Sequence, residues 1–190
     1  MKLIIASNNK HKISEIKSIL SGKFDSILSL SEAGINHETV EDGETFLENS
    51  LKKAREICHI SGCVALADDS GLCVNSLGGA PGVYSARYSG EGATAESNNR
   101  LLLKNLEGMA DRSAYFICTA ALVYPDGREL VAEGRIYGAI IDSYRGDGGF
   151  GYDPIFLPDC DGRTLAEMSD AEKNDISHRG RALKNLLAQL

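Results

Sequence analysis

An α/β protein built on a mixed β-sheet is what this chain predicts, and three observations carry the prediction. Residues 2–67 alternate short apolar runs with stretches of helical periodicity, the pattern of strands joined through helices. Residues 113–124 and 129–141 are rich in aromatic and β-branched side chains and flank Pro125-Asp126-Gly127, which reads as a long hairpin. Crossover-linked strands and a hairpin in one chain make a sheet of mixed direction. Glycine clusters at 71–92 and 145–153 need loops around them, and a cleft between two lobes provides the place.

In order, residues 2–6 read as a strand and Ser7-Asn8-Asn9-Lys10 as a polar turn. Ile13, Ile16, Ile19 and Leu20 recur at helical spacing, predicting a helix over 11–20. A strand follows at 25–30. Residues 44–60 form a second helix with Phe46, Leu47, Leu51, Ala54, Ile57 and Cys58 on one face. Val64 to Ala67 look like a buried strand, and Gly71 is expected to turn the chain. Thr94, with Ser97 and Asn98 behind it, opens a third helix over 94–106. The hairpin comes next. A final helix over 176–190 turns Ile176, Leu183, Leu186 and Leu187 inward. No repeat or linker divides the chain, so residues 1–190 read as one domain with two lobes.

The totals exclude some functions. A net charge of −7 argues against general nucleic-acid binding, which needs a broad basic face. No apolar run is long enough to span a membrane, and the apolar part of the first residues is too short for a signal peptide. Cytoplasmic residence is therefore expected. The five cysteines, Cys58, Cys63, Cys73, Cys118 and Cys160, form no CxxC pair and are expected to be reduced, packed thiols. A phosphate ligand remains compatible with the acidic balance, because a few placed cations and a divalent ion on carboxylates can hold polyphosphate.

Four segments besides Asp68-Asp69 could carry chemistry, and each also has a plain structural explanation. Adjacent strand residues point to opposite faces, so Asp68 and Asp69 have different surroundings and one of them is expected to face a cleft. Most acid pairs, though, are solvated turns. Ser7-Asn8-Asn9-Lys10-His11-Lys12 joins a strand to a helix, where backbone N–H groups and the positive helix end suit a phosphate; a capped helix start would look the same. It lacks the glycines of a P-loop. Glu41, Asp42, Glu44 and Glu48 could supply a metal carboxylate, or only favour a helix N-terminus. In Gly146-Asp147-Gly148-Gly149-Phe150-Gly151-Tyr152-Asp153-Pro154, Phe150 and Tyr152 offer flat faces for a base and Asp153 an acceptor, unless the loop is only structural. Lys173, His178 and Arg179 gather donors around Ser177, which could equally be a helix cap with surface cations.

Together these segments resemble the inosine/xanthosine triphosphate pyrophosphatases. The likeness runs from Ser7-x-Asn9-x-x-Lys12 through Glu41-x-Gly43-x-Thr45-Phe46-x-Glu48-Asn49, Ala67-Asp68-Asp69-Ser70-Gly71-Leu72, Leu77-Gly78-Gly79-Ala80-Pro81-Gly82-x-Tyr84-Ser85-Ala86-Arg87 and Gly148-Gly149-Phe150-Gly151-Tyr152-Asp153-Pro154 to Ser177-His178-Arg179-Gly180, in the family's order. The resemblance implies an elongated mixed sheet flanked by helices, two lobes with the active cleft between them, and a homodimer. It implies Mg²⁺-dependent hydrolysis of ITP, dITP or XTP to the monophosphate and pyrophosphate.

Carried over by position, Ser7, Asn9 and Lys12 would bind the triphosphate, with Asn8, Lys10 and His11 in the same substrate-binding junction. Asn8 departs from the glycine or threonine that the family often has there. Asp69 would be general base and metal ligand, with Glu41 the second metal carboxylate, chosen from the acids at 41–48. Ser70 would touch substrate. Phe150, Gly151, Tyr152, Asp153, His178 and Arg179 would surround the base, and Lys173 would line the pocket. The competing readings are a septum-formation-type pyrophosphatase acting on pyrimidine or modified nucleotides, a phosphatase using an aspartate nucleophile, and a non-catalytic nucleotide-binding protein. The second lacks its usual DxDx[TV] spacing, and the third would have lost the carboxylates that are present.

Overall fold

The computed structural model describes all 190 residues. In chain order the elements are β1 (Lys2–Ile5), α1 (Lys10–Ile19), β2 (Ser26–Ser29), α2 (Phe46–Ser61), β3 (Val64–Val74), α3 (Ala95–Asn105), β4 (Ser113–Val123), β5 (Glu129–Ile140), β6 (Phe156–Pro158), α4 (Asp170–Ile176) and α5 (His178–Leu187). The strands form one six-stranded sheet in the order β2-β1-β3-β4-β5-β6. β1 runs parallel to β2 and to β3, and β5 antiparallel to β6, so the sheet is mixed, as expected. Gly138 lets β6 approach: a Cβ there would sit 2.2 Å from the Leu157 carbonyl oxygen.

The chain divides into two compact units. The first holds residues 1–69, 118–134 and 179–190, the second residues 70–117 and 135–178. Strands β3, β4 and β5 each run through both.

In the first unit the sheet is buried on both faces, and the two-residue period sorts its side chains. Leu3, Ile5, Val64, Leu66, Cys118, Ala120 and Leu122 pack with Ile16 and Leu20 of α1 and Leu183 and Leu186 of α5. Ile4, Ala65, Ala67, Ala121 and Val123 pack on the other face with Ala54 and Ile57 of α2. In the second unit Leu72, Val74, Phe116, Ile136 and Ile140 of the sheet pack with Leu102 of α3, with Leu106 just after it, and with Ile155 and Phe156.

Helix starts follow local chemistry. Thr45 and Glu48 form a capping box at α2, and Thr94 and Ser97 one at α3; each satisfies backbone N–H groups that the first turn leaves without partners.

Three expectations need correction. Gly71 does not turn the chain: β3 continues to Val74, because Leu72 and Val74 have their own apolar core to enter and Ser85 Oγ accepts the Leu72 N–H at 2.9 Å. The final helix starts at His178, after Ser177 with extended dihedrals (φ −65°, ψ 158°), and a separate helix that was not expected, α4, precedes it. All five thiols are free, but Cys160 is exposed rather than packed. No helix is long and apolar enough to cross a membrane.

Candidate active site

The alternation along β3 gives Asp68 and Asp69 unlike surroundings. Asp68 continues the series Val64, Leu66 and faces α1 and α5. Its Oδ2 accepts from Arg179 Nε at 3.2 Å and Nη2 at 3.1 Å, and lies 3.2 Å from Lys12 Nζ. The Cys118 thiol donates to the same oxygen at 3.7 Å. Arg179 Nη1 also donates to Glu15 of α1. Burial alone would push the Asp68 carboxyl up; Lys12, Arg179, Lys53 and the Arg179 hydrogen bond outweigh it and hold the group far below the usual carboxylate range. Arg179 is correspondingly held above the usual guanidinium value, the charges of Asp68 and Glu15 prevailing over its burial. Asp68 is thus a fixed anion, paired through Oδ2 with the cations around it.

Asp69 continues the series Ala65, Ala67 and faces α2. Asn49 Nδ2 donates to its Oδ2 at 3.2 Å, and Lys53 Nζ lies 3.5 Å from its Oδ1. The same ammonium is 2.7 Å from Glu41 Oε1. Asn49 ties this loop down, because its Oδ1 accepts the Gly43 N–H at 2.9 Å. A Cβ on Gly43 would meet that oxygen at 2.7 Å, so the glycine is needed for the approach. Burial pushes the Asp69 carboxyl up. Lys53, Lys12 and the Asn49 hydrogen bond oppose this, the Glu41 charge reinforces it, and the net direction is upward. Lys53 is raised too: its burial favours the neutral amine, but Asp69, Asp68 and Glu41 outweigh that.

The acids at 41–48 now separate. Asp42 pairs with Lys52 at 2.6 Å. Glu48 belongs to the α2 capping box, and Glu44 is exposed. Glu41 alone of the four shares a cation with Asp69. No group of three or more His, Cys, Asp or Glu side chains is gathered as a metal site. Two oxygen donors nonetheless suit Mg²⁺, which binds through one or two carboxylates and completes its shell with water and substrate phosphates.

The junction before α1 is a capped helix start. Asn9 Oδ1 accepts from the backbone N–H groups of His11 at 3.0 Å and Lys12 at 3.2 Å, and Ser7 Oγ accepts from Asn9 N–H at 3.2 Å. The Asn8 amide reaches the His37 carbonyl at 3.5 Å. Lys10 and His11 are exposed. Lys12 turns to Asp68.

In the second unit the glycine-rich loop closes on Asp153. Its Oδ2 accepts the Phe150 N–H at 2.8 Å and the Lys173 ammonium at 2.7 Å, and that ammonium also lies 4.5 Å from the centre of the Phe150 ring. Gly149 has φ +68°, and a Cβ there would meet Asp153 Oδ2 at 2.3 Å. Asn99 Nδ2 donates to the Gly151 carbonyl at 3.0 Å. His178 stacks on Phe116, with centroids 4.8 Å apart and planes at 11°. Ser70 is half-buried on β3.

Two site expectations change. Tyr152 offers no open face: it is 5% exposed, packs in the apolar core, and its hydroxyl donates to the Ser85 carbonyl at 2.9 Å. Arg179, expected beside a base, is 1% exposed with Nε, Nη1 and Nη2 engaged by Asp68 and Glu15. The predicted residues fall as Ser7 to Lys12, Glu41, Asp69 and Arg179 in the first unit, and Ser70, Phe150 to Asp153, Lys173 and His178 in the second.

Sequence reasoning passed over Glu15, Asn49, Lys53, Phe116 and Cys118. A signal existed for three of them. Glu15 lies between Ile13, Ile16 and Ile19, and Asn49 and Lys53 are one helical turn apart beside the apolar stripe of α2, where charged groups are rarely buried unless paired.

The family model described as "Ham1 family" matches residues 3–189. The chain is 51% identical to the dITP/XTP pyrophosphatase of Clostridium perfringens, over 97% of this chain and 95% of that protein. It is 51% identical to the dITP/XTP pyrophosphatase of Geobacter sulfurreducens, over 96% of this chain and 92% of that one. Among solved structures, the Ham1 proteins of Coxiella burnetii and Staphylococcus aureus superpose with TM-scores of 0.90 and 0.89. Each is 39% identical, with all of this chain covered and 98% and 97% of theirs. Near-complete coverage at this identity, over the same sheet and helices, leaves one assignment: the chain belongs to the Ham1 family.

Proposed function

We propose that the protein hydrolyses deaminated purine nucleoside triphosphates (ITP, dITP and XTP) to the monophosphate and pyrophosphate. The observation that carries this reading is the Asp69 centre: a carboxyl raised by burial and held by Asn49 and Lys53 beside Glu41. It stands in a chain half identical to proteins named dITP/XTP pyrophosphatase.

A carboxylate with a raised pKa is the better base, since the proton it takes is held more firmly. Asp69 accepts the proton of the water that attacks the α-phosphorus, and Asn49 fixes the direction of its carboxylate. Lys12 and the positive N-terminal end of α1 stabilise the negative charge of the departing pyrophosphate. Glu41 and Asp69 would hold Mg²⁺, which when bound supplies Lewis-acid neutralisation of the phosphate oxygens. Phe150 stacks on the base, held by the Lys173–Asp153 pair. His178, fixed in plane by Phe116, donates to O6. Adenine presents an amino donor there instead, and two donors facing one another leave buried groups unpaired. Arg179 keeps Asp68 and Glu15 in place rather than reading the base. Cytoplasmic residence and a homodimer complete the reading, the latter to be checked by light scattering on the eluted protein.

One assay tests it. ITP, dITP, XTP, ATP, GTP and TTP are offered with Mg²⁺, and pyrophosphate is scored against phosphate. Pyrophosphate from the first three supports the reading. Preferred use of TTP would favour the septum-formation type, and phosphate release or equal use of ATP overturns it.

A further inference from the structure

Lys53 is the one cation that touches both proposed metal carboxylates. Its ammonium lies 2.7 Å from Glu41 Oε1 and 3.5 Å from Asp69 Oδ1. It reaches them from α2, buried on the face that carries Ala54 and Ile57, with its neighbour Asn49 one turn earlier on Asp69. Two carboxylates drawn to one point repel each other unless a positive charge stands between them. Here that charge is the ε-ammonium.

We propose that Lys53 holds the cation position in the metal-free protein and that a divalent ion must displace its ammonium from Glu41 and Asp69 to bind. This rests on the reading that those two residues hold the metal. The chemistry is an exchange of one hard cation for another on the same oxygens. An ammonium makes charge-assisted hydrogen bonds, and a divalent ion forms shorter and stronger contacts to the same atoms. Three things follow. The unloaded site stays assembled, because Lys53 prevents Glu41 and Asp69 from separating. Affinity for the bare ion is lowered by the competitor. Once displaced, the ammonium keeps its charge and is freed to pair with another anionic group beside the loaded site.

The test measures Mn²⁺ binding without nucleotide, by the loss of the free-ion electron paramagnetic resonance signal. Wild type, Lys53→Met, Lys53→Gln, Lys52→Met and Glu41→Gln are compared, with folding checked by circular dichroism. Lys53→Met and Lys53→Gln are expected to bind Mn²⁺ about tenfold or more tightly than wild type, the size of a lost charged hydrogen-bond competitor. Lys52→Met, which removes the neighbouring ammonium from Asp42, is expected to change affinity little. Equal affinity in the Lys53 variants overturns the displacement while a Glu41-dependent site leaves the metal reading intact. Equal tightening by Lys52→Met reduces the effect to a general field and also overturns it. Absence of any Glu41-dependent Mn²⁺ site in every protein overturns both. If the Lys53 variants fail to fold, the wild-type protein with ¹⁵Nζ-labelled lysine decides: Mg²⁺ at concentrations that occupy the site must shift the Lys53 ammonium resonance, and an unmoved resonance sinks the proposal.

Discussion

Arg179 donates two hydrogen bonds to one oxygen of Asp68, from a position 111 residues further along the chain. The pair is 1% and 2% exposed, and Glu15 and Lys12 complete the cluster. Removing one partner of such a pair leaves a buried charge without compensation, which costs about 3–5 kcal/mol. Asp68→Asn should lower the urea midpoint by that equivalent at pH 7. The folded-state pKa of Asp68 lies far below its unfolded value of about 3.9. Its contribution is therefore complete above that value and is lost as pH falls below it. Wild type should lose stability between about pH 4 and pH 2 more steeply than Asp68→Asn. Parallel curves for the two proteins would remove Asp68 from the account.

The Lys173–Asp153 pair makes a parallel prediction in the second unit. Lys173 is 3% exposed, and Asp153 Oδ2 serves both its ammonium and the Phe150 N–H. Lys173→Met and Asp153→Asn should each destabilise by about 3–5 kcal/mol, yet the double variant should cost less than their sum by about 0.5–3 kcal/mol. Strict additivity in denaturant melts would show that the two groups do not act as a unit. Both single variants should also raise KM, because Phe150 loses its restraint.

The two aromatics of the glycine-rich loop should part company. Phe150→Ala removes a stacking face worth about 1–3 kcal/mol, so KM for ITP should rise by roughly 5- to 150-fold. Tyr152→Phe removes only the hydroxyl that binds the Ser85 carbonyl. It should cost about 1 kcal/mol of stability and leave KM unchanged. A raised KM in Tyr152→Phe would restore the side chain to the substrate.

These assignments show which parts were legible in the chain and which were not. Periodicity located α1, α2, α3, α5 and the hairpin strands, because apolar spacing is a local property. β6, with three residues, is too short to have a period. Gly71 misled because glycine signals a turn only when nothing beyond it is buried, and Leu72 and Val74 are. α4 holds only Ala171 and Ile176 as apolar residues, too few to show a helical stripe. Motif blocks picked out Asp69, Lys173 and Phe150, but partners came only with the fold. Glu41 was chosen from four neighbouring acids by the resemblance alone, and only the fold shows α2 carrying Lys53 to it. Arg179 read as a donor to the base because Glu15 and Asp68, which it binds, are distant in sequence. Tyr152 read as a binding face because a short polar-tipped aromatic in a glycine loop gives no hint of which side it buries.

Asp68 and Asp69 should respond to the same substitution in opposite directions. The Asp69 carboxyl is raised by burial against the opposing Lys53, Lys12 and Asn49, so its ionised form is disfavoured in the folded protein. The folded state then binds more protons than the unfolded state between the two pKa values, and stability declines as pH rises through that interval. Asp69→Asn mimics the protonated form. It should lower kcat by about 10² or more, since general-base work contributes that much, while leaving the Tm equal to or above that of wild type at pH 7. Asn49→Leu removes a hydrogen bond that favours the ionised form and should shift the metal-free Asp69 titration, followed by ¹³C carboxyl resonance, further upward. A drop in Tm in Asp69→Asn as large as that in Asp68→Asn would mean that both aspartates serve the fold. The predicted split follows from the strand itself: adjacent side chains on β3 face different helices, so one carboxylate meets enough cations to be a structural anion and its neighbour keeps the strain that makes it a base.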